Sequence, residues 1–474
     1  MSAYYPRCYM NAVEALEQLR RDAAPVAAAF ADAGFSLYAV GGSVRDALLG
    51  IERRDDYEID FTTNARPDDI ARLMAPLCGS LWEQGRAFGT IGGILKQGRF
   101  RIEITTFRSE EYVDHSRKPV VSFGDSLDID LGRRDFTINA MAVDVIAGAF
   151  HDPFSGVSDL TARRLRTPHD AKVLFSDDPL RMLRAARFAA RFHLEIEPEV
   201  LAAATELADR LSIVSAERIR AELDLLMVTD VPSVGLNFIV ATGLAQYFLP
   251  ELPGLSLEQD PIHQHKDVLG HTMAVVDKTS ADLTLRLAAL FHDIGKPKTR
   301  AITKNGVTFH HHEVVGARMT RKRMEALKYS QEMIDDVSTL VDLHLRFHTY
   351  KMGWSDSAVR RYVRDAGHLL GELNELTRCD CTTRNAKKAA TLAKRMDELE
   401  ERIELLRQQE DMNRMRPALD GVKIMEILGL SPGRVVGHAL AFLLEIRLEE
   451  GEIGEEAETQ RLRAWWAERP TTSN

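Results

Sequence analysis

The chain has 474 residues, with 61 Lys and Arg against 71 Asp and Glu for a net charge of −10, and is 45% hydrophobic and 28% charged. That length is several times a typical domain and predicts three or four modules rather than one unit, while the composition excludes collagen-like, coiled-coil and wholly disordered chains. The acidic balance excludes a surface coated in positive charge for nonspecific nucleic-acid binding, though not a local basic groove.

Met1 to Arg21 has no clear apolar core, and no run of 18 apolar residues occurs anywhere, so neither secretion nor membrane spanning is expected. Cys8, Cys78, Cys379 and Cys381 form no CxxC pair, which fits a reducing, cytoplasmic setting. In the first 150 residues, Ser36 to Val40, Tyr57 to Thr63, Arg99 to Phe107 and Met141 to Val145 read as strands between helical stretches, predicting an α/β head. From about Asp159 the β signal fades, and Pro179 to Phe192 and Pro198 to Leu211 carry helical periodicity. Pro250 to Pro261 reads as a linker; a histidine-rich helical module runs to about Asn385, and a charged helix and a last helical piece follow. The predicted boundaries are therefore a head over 1–155, a helical neck and body over 156–255, a metal-binding helical module over 256–385 and a helical tail over 386–474.

Side chains alternate faces along a strand, so Glu58 and Asp60 share one face while Tyr57, Ile59 and Phe61 occupy the other. Arg99 to Thr106 repeats the pattern and offers Glu103 as a third carboxylate. Three such oxygen donors suit Mg²⁺, which is commonly shared with substrate phosphates. Just upstream, Gly41-Gly42-Ser43-Val44-Arg45-Asp46 follows a strand and opens a helix, a geometry in which backbone N–H groups and the helix dipole face a phosphate.

The string from Gly41 to Gly50, followed by Glu58-Ile59-Asp60-Phe61-Thr62-Thr63, resembles the signature of class II tRNA nucleotidyltransferases, relatives of the DNA polymerase beta superfamily. Arg133-Arg134-Asp135-Phe136-Thr137-Ile138-Asn139 is similar to that family's ribose and triphosphate motif, which implies nucleotide contacts for Gly41, Gly42, Arg45, Arg134, Asp135 and Asn139. Asp177-Asp178-Pro179-Leu180-Arg181 resembles the motif whose Asp and Arg read the base edge of the incoming nucleotide, a role the resemblance assigns to Asp178 and Arg181. A spacing of three places those two on one helix face, and an intrahelical salt bridge is the alternative. Arg181, Arg184, Arg187 and Arg191 fall within a sector of roughly 120°, a basic stripe in which Arg184 and Arg187 are further nucleotide candidates. Arg218 to Glu222 resembles a structural motif of the family, and Glu110 to Phe123, with Asp114, His115, Arg117, Lys118 and Pro119, its mobile loop. The family usually has Asp-x-Asp where this chain has Glu58-Ile59-Asp60. The extra methylene shifts the carboxylate by about 1 Å, so either the metal site is rebuilt around the longer arm or transfer is weak, by up to ~100-fold.

In the second half, His271, His292-Asp293, His312, His344 and Asp380 appear in the order of the HD phosphohydrolase superfamily. The resemblance implies a primary metal set of His271, His292, Asp293 and Asp380, with His312 and His344 available to a second ion. Imidazole plus carboxylate suits Mn, Fe, Co, Ni or Zn. His310, His311 and His348 are left as surface or packing residues. Asp420 to Gly433 resembles the carboxy-terminal helices that the nucleotidyltransferases use against tRNA, with a plain packing module as the alternative.

Head, HD module and tail together look most like CCA-adding enzymes of the actinobacterial type. The resemblance implies addition of C, C and A to tRNA from CTP and ATP, with Glu58, Asp60 and Glu103 holding Mg²⁺, and a possible second, metal-dependent phosphohydrolase activity. The alternatives are a bacterial poly(A) polymerase and an HD phosphohydrolase with an RNA-binding amino-terminal part.

Overall fold

Alternating burial in short strands builds the first part of the molecule around a seven-stranded sheet. The computed structural model describes residues 11–51, 57–96, 100–111, 120–124, 126–257, 267–303, 306–348, 354–381, 385–409 and 416–469. The chain divides into two units, Met1–Pro250 and Glu251–Asn474. Cys8, Asp114, His115, Arg117, Lys118 and Pro119 lie outside the described residues.

In the first unit the strands are β1 (Leu37–Val40), β2 (Glu58–Thr63), β3 (Cys78–Trp82), β4 (Thr90–Leu95), β5 (Arg101–Thr106), the separate hairpin β6 (Arg108–Glu111) and β7 (Val120–Phe123), β8 (Ala142–Asp144) and β9 (Phe150–His151). The sheet order is β3-β4-β5-β2-β1-β8-β9, with β2 and β5 parallel and the other neighbours antiparallel. Sequence alternation anticipates β1, β2, β5 and β8; β3, β4 and β9 are additions from the structure. One sheet face packs Ile59, Phe61, Ile91, Ile102 and Ile104 against Leu19, Val26 and Phe30 of the helix Ala12–Asp32 and Ile70 and Met74 of the helix Pro67–Met74. Burial of such side chains, about 1.5–3 kcal/mol each, fixes the register and leaves the opposite face of β2 and β5 for polar groups.

Beyond the sheet, the helix Leu180–Phe192 is buried over most of its surface, with Met182, Leu183, Ala185, Ala186, Phe188, Ala189 and Ala190 packed beside the buried arginines Arg181 and Arg187. The helix Pro232–Ala241 crosses it closely enough that a Cβ on Gly235 would stand 2.6 Å from the Ala186 carbonyl oxygen, so only glycine fits there. The second unit is helical apart from the short pair Ala301–Thr303 and Gly306–Thr308. It contains Val268–Lys278, Leu283–Phe291, His312–Ala326, Gln331–Leu343 and Leu370–Asp380, followed by Ala386–Gln409 and a cluster of Gly421–Leu428, Arg434–Glu450 and Glu455–Ala467 around Ile424, Leu443 and Leu462.

Candidate active site and metal centre

The polar face of β2 and β5 carries the head site. Asp60 lies in register with Glu103 and Glu58 with Arg101, so the three carboxylates share one face, as the alternation predicts. Burial, and after it the charge of Glu103, raises the Glu58 carboxyl above its ordinary range. Burial also raises Asp60, with Glu103 adding to it and Arg134 pulling the other way. Acidic groups forced together in this way favour a bound cation.

β1 ends at Gly41, whose φ of +70° suits glycine and turns the chain into the helix Gly42–Leu48. Gly41 also sits against the site: a Cβ there would be 3.0 Å from Arg134 Nη1 and 3.7 Å from Asp60 Oδ2. Arg134 Nη2 is 3.5 Å from Asp130, which is fully buried, accepts from Thr62 Oγ1 at 3.1 Å and is held by Arg133 at 2.9 Å. Arg134 Nε is buried and makes no hydrogen bond among the described residues. The sequence gives Asp130 no role, and its signal, a buried acid one turn before Arg133-Arg134, is visible only in three dimensions.

A chain of polar contacts leads away from this point. Arg45 Nη1 donates to Asn139 Oδ1 at 2.5 Å, Asn139 Nδ2 donates to Asp135 Oδ1 at 2.9 Å, and Arg184 Nε donates to Asp135 Oδ2 at 2.7 Å. Burial alone would raise Asp135; Arg184 and the Asn139 amide instead hold it at about 2. Arg187 Nε donates to Glu222 Oε2 at 2.6 Å, and Glu222 also lies 3.4 Å from Arg184. The predicted stripe on Leu180–Phe192 is therefore real in position but partly neutralised by Asp135 and Glu222.

Asp178 and Arg181 do not share a helix face. Asp178 has extended backbone between the helices Ala171–Asp177 and Leu180–Phe192, and its carboxylate accepts from Leu180 N at 3.2 Å and pairs with Arg218 at 3.1 Å. Pro179 is the reason, since a residue before proline is disfavoured in the helical region. Arg181, 9% exposed, donates to the carbonyls of Leu174 at 3.1 Å and Arg133 at 2.6 Å.

The histidines of the second unit converge. Nε2 of His292 is 3.2 Å from Nε2 of His271 and 3.2 Å from Asp293 Oδ2; Nε2 of His271 is 2.9 Å from Asp380 Oδ1; and Nε2 of His312 is 3.3 Å from Asp293 Oδ1. Among the described residues, two groups bring three ligand atoms within 4.8 Å of one another: His271, His292 and Asp293, and Asp293, His312 and His344. The head carboxylates are spaced more widely. Three rings are oriented alike, Nδ1 of His292, His312 and His344 bonding the carbonyls of Ala289, Phe309 and Val341 at 2.7, 2.8 and 2.6 Å. Such bonds aim each Nε2 inward, the usual arrangement of metal-bound imidazole. Nε2 of His312 and of His344 is buried and forms no hydrogen bond among the described residues, which fits an ion in the space between them. Burial, followed by the His292 charge, lowers His344 to about 3, so its ring is neutral at pH 7. Burial would raise Asp293, but His292 and Lys296, whose Nζ is 2.7 Å away, hold it well below the carboxylate range.

Gly295 makes this cluster possible, because a Cβ there would collide with the carbonyl oxygen of His312. The glycine lets the start of His312–Ala326 approach Asp293. His311 and His348 are both exposed, as expected, and His348 also stands 3.7 Å from Asp380 Oδ2. Neither Lys296 nor His348 was given a role by sequence; the His-Asp-x-Gly-Lys spacing is the signal for the former.

Comparison with known proteins finds a domain match over the region of each site. Residues 37–166 match the poly A polymerase head domain, 193–255 the family described as "Probable RNA and SrmB- binding site of polymerase A", and 268–403 the HD domain. Such head and HD domains imply divalent metals. The A-adding tRNA nucleotidyltransferase of Deinococcus radiodurans is 33% identical over 90% of this chain and 95% of its own length. The CCA-adding enzyme of Levilactobacillus brevis is 42% identical over 48% of this chain and 54% of its own length, so that match spans about half of each protein. Among solved structures, the Bacillus stearothermophilus CCA-adding enzyme in complex with CTP aligns over 95% of this chain and 99% of its own with a TM-score of 0.69 at 22% identity. The Thermotoga maritima CCA-adding enzyme complexed with tRNA aligns over 96% of this chain and 99% of its own at 0.57 and 19%. Among the described residues no helix is long and apolar enough to cross a membrane.

Proposed function

Since the chain belongs to the tRNA nucleotidyltransferase family, we propose that it adds C, C and A to tRNA 3′ ends from CTP and ATP, releasing pyrophosphate. The observation that carries this reading is the placement of Asp60 between Glu103, in register on β5, and Arg134, packed against Gly41. Glu58, Asp60 and Glu103 would hold Mg²⁺, which when bound would help activate the 3′-hydroxyl and neutralise charge on the triphosphate. Gly41 and Gly42 leave room for phosphate against the backbone, and Arg134 directs cationic donors at its oxygens. Asp135, Asn139 and Arg45 fix the far end of that cradle through their hydrogen-bond chain, and Arg184 ties it to the helix Leu180–Phe192. Asp178 and Arg181 supply the acceptor and donors for a cytosine or adenine edge, exchanging their present partners for the base. The boundaries 1–155, 156–255, 256–385 and 386–474 divide the chain into head, neck, HD module and a tail that contacts the tRNA.

The histidine cluster supports a second reading. His271, His292, Asp293 and Asp380 would hold a transition ion, one of Mn, Fe, Co, Ni or Zn, with His312 and His344 serving a second, and the bound metal would supply an activated water for phosphoester hydrolysis. Lys296 would steady Asp293 in its ionised form. Incubation with CTP alone, ATP alone and both tests the main reading. Ordered use of CTP then ATP is expected; tails of repeated A from ATP alone would favour a poly(A) polymerase, and metal-dependent hydrolysis without any addition would favour a phosphohydrolase.

A further inference from the structure

Trp82 occupies an unusual place on the carboxylate face. Trp82 lies in register with Gly92, Gly92 with Glu103, and Glu103 with Asp60, so four neighbouring strands present these residues in one row. Gly93 faces the other way, where a Cβ would meet Met74 and Cys78 of the core. A Cβ on Gly92 would collide with Nε1 and Cε2 of Trp82. The indole therefore lies over Gly92, on the same side as Glu103, with the Arg101 guanidinium 5.2 Å from a ring centroid. Trp82 is only half-buried, so part of this large aromatic surface faces outward beside an acidic site.

Direction matters as well. Gly41 and Arg134 stand at the β1 side of Asp60, which is where the triphosphate and the leaving pyrophosphate belong in the reading above. In-line displacement puts the attacking hydroxyl on the opposite side of the α-phosphorus. In the sheet order that opposite side is β5, β4 and β3, the row that ends in Trp82. Aromatic side chains beside a backbone track are the usual platforms for unpaired bases, because every base offers a π-face.

We propose that Trp82 stacks on the 3′-terminal base of the acceptor RNA and so positions the attacking ribose next to Glu103. The proposal rests on the nucleotidyltransferase reading of the same face. The competing role is structural, an indole that only covers the bare backbone of Gly92.

The test uses the full chain with tRNA lacking CCA, carrying either a normal or an abasic 3′-terminal nucleotide, and the double variant Trp82→Leu with Gly92→Ala, which restores apolar cover without a ring. The expected result is a rise of about tenfold in KM for the normal acceptor, the size a lost stack produces, with KM for CTP unchanged. The abasic acceptor should impose a similar loss on the parent protein and little further loss on the variant. Trp82→Phe, which keeps a smaller ring and the cover, should show a rise of about two- to threefold and serves if the double variant melts early. An unchanged acceptor KM, or full additivity of the variant and abasic losses, overturns the stacking role. Absence of any addition by the parent protein instead overturns the functional reading on which it rests.

Discussion

Asp135 accepts a hydrogen bond from Arg184 Nε at 2.7 Å, and through this contact the motif that follows the sheet is joined to the helix Leu180–Phe192. Both lie within the first unit, and Asp135 is held at about 2 largely by that guanidinium against the burial that would raise it. A carboxyl with a depressed folded value stabilises the native state above its unfolded value, near 3.9, and the stabilisation is lost as pH falls through the folded value. Acid unfolding of the parent protein should therefore include a component between about pH 4 and pH 2 that Asp135→Asn lacks. At pH 7 that variant should be less stable by roughly 2–3 kcal/mol, because Arg184 loses a charged partner but keeps Glu222. Urea titrations at pH 7 and pH 3 measure both; equal differences at the two pH values would contradict the assignment.

Asp60→Ala should abolish nucleotide addition while leaving tRNA binding nearly intact, since it removes an oxygen ligand and no phosphate contact. Single-turnover rates and a filter-binding affinity separate the two, and addition above a tenth of the parental rate would count against the site. Glu58→Asp should be as fast as the parent or faster if the family's usual carboxylate length suits the pocket. A loss beyond tenfold would show a site rebuilt around glutamate.

Arg181→Ala should relax the choice among CTP, ATP, UTP and GTP more than it slows transfer, because lost base-edge bonds mainly cost discrimination, about 1–3 kcal/mol each. The same variant takes the Arg181 donor from the Arg133 carbonyl and leaves the Leu174 carbonyl with Asp178 N alone, so a lower melting temperature is expected alongside. Competition assays with all four nucleotides give the first effect. Unchanged selectivity in a destabilised protein would leave Arg181 as a structural tie.

Much of this was legible in the chain itself, and the exceptions have physical causes. Alternation at Glu58 to Phe61 and at Arg101 to Thr106 is strong because each strand buries one apolar face, so the shared side of Glu58, Asp60 and Glu103 follows directly. β4 is hidden by Gly92 and Gly93 in the middle of its run, and β3 by Gly79 and Ser80, residues with weak strand preference. The sheet order is not a local property, so neither the row from Asp60 to Trp82 nor Asp130 beneath Arg134 can be read from spacing. The histidines and aspartates of the HD cluster are legible by order. Their convergence depends on Nδ1 bonds to carbonyls three residues earlier and on the absence of a side chain at Gly295. Asp178 stands outside both flanking helices, and Pro179 marks that break in the sequence.

His292→Ala with Asp293→Ala should abolish metal retention and any phosphatase or phosphodiesterase activity while CCA addition continues, since two ligands of the cluster are lost and none of the head donors is touched. Gly295→Ala should also weaken metal retention, by displacing His312 from Asp293. Metal content after dialysis, read beside thermal melting and addition rates, checks both. A well-folded double variant that loses CCA addition but keeps tRNA affinity would show that the HD metal takes part in transfer.

The most direct measurement is sequencing of the 3′ ends produced when tRNA without its terminal CCA is incubated with CTP, ATP and Mg²⁺. The proposed function predicts ends carrying C, C and A in that order, with addition stopping at CC when ATP is withheld. Extension only of tRNA that already ends in CC, by a single A, or no extension at all, would contradict the account.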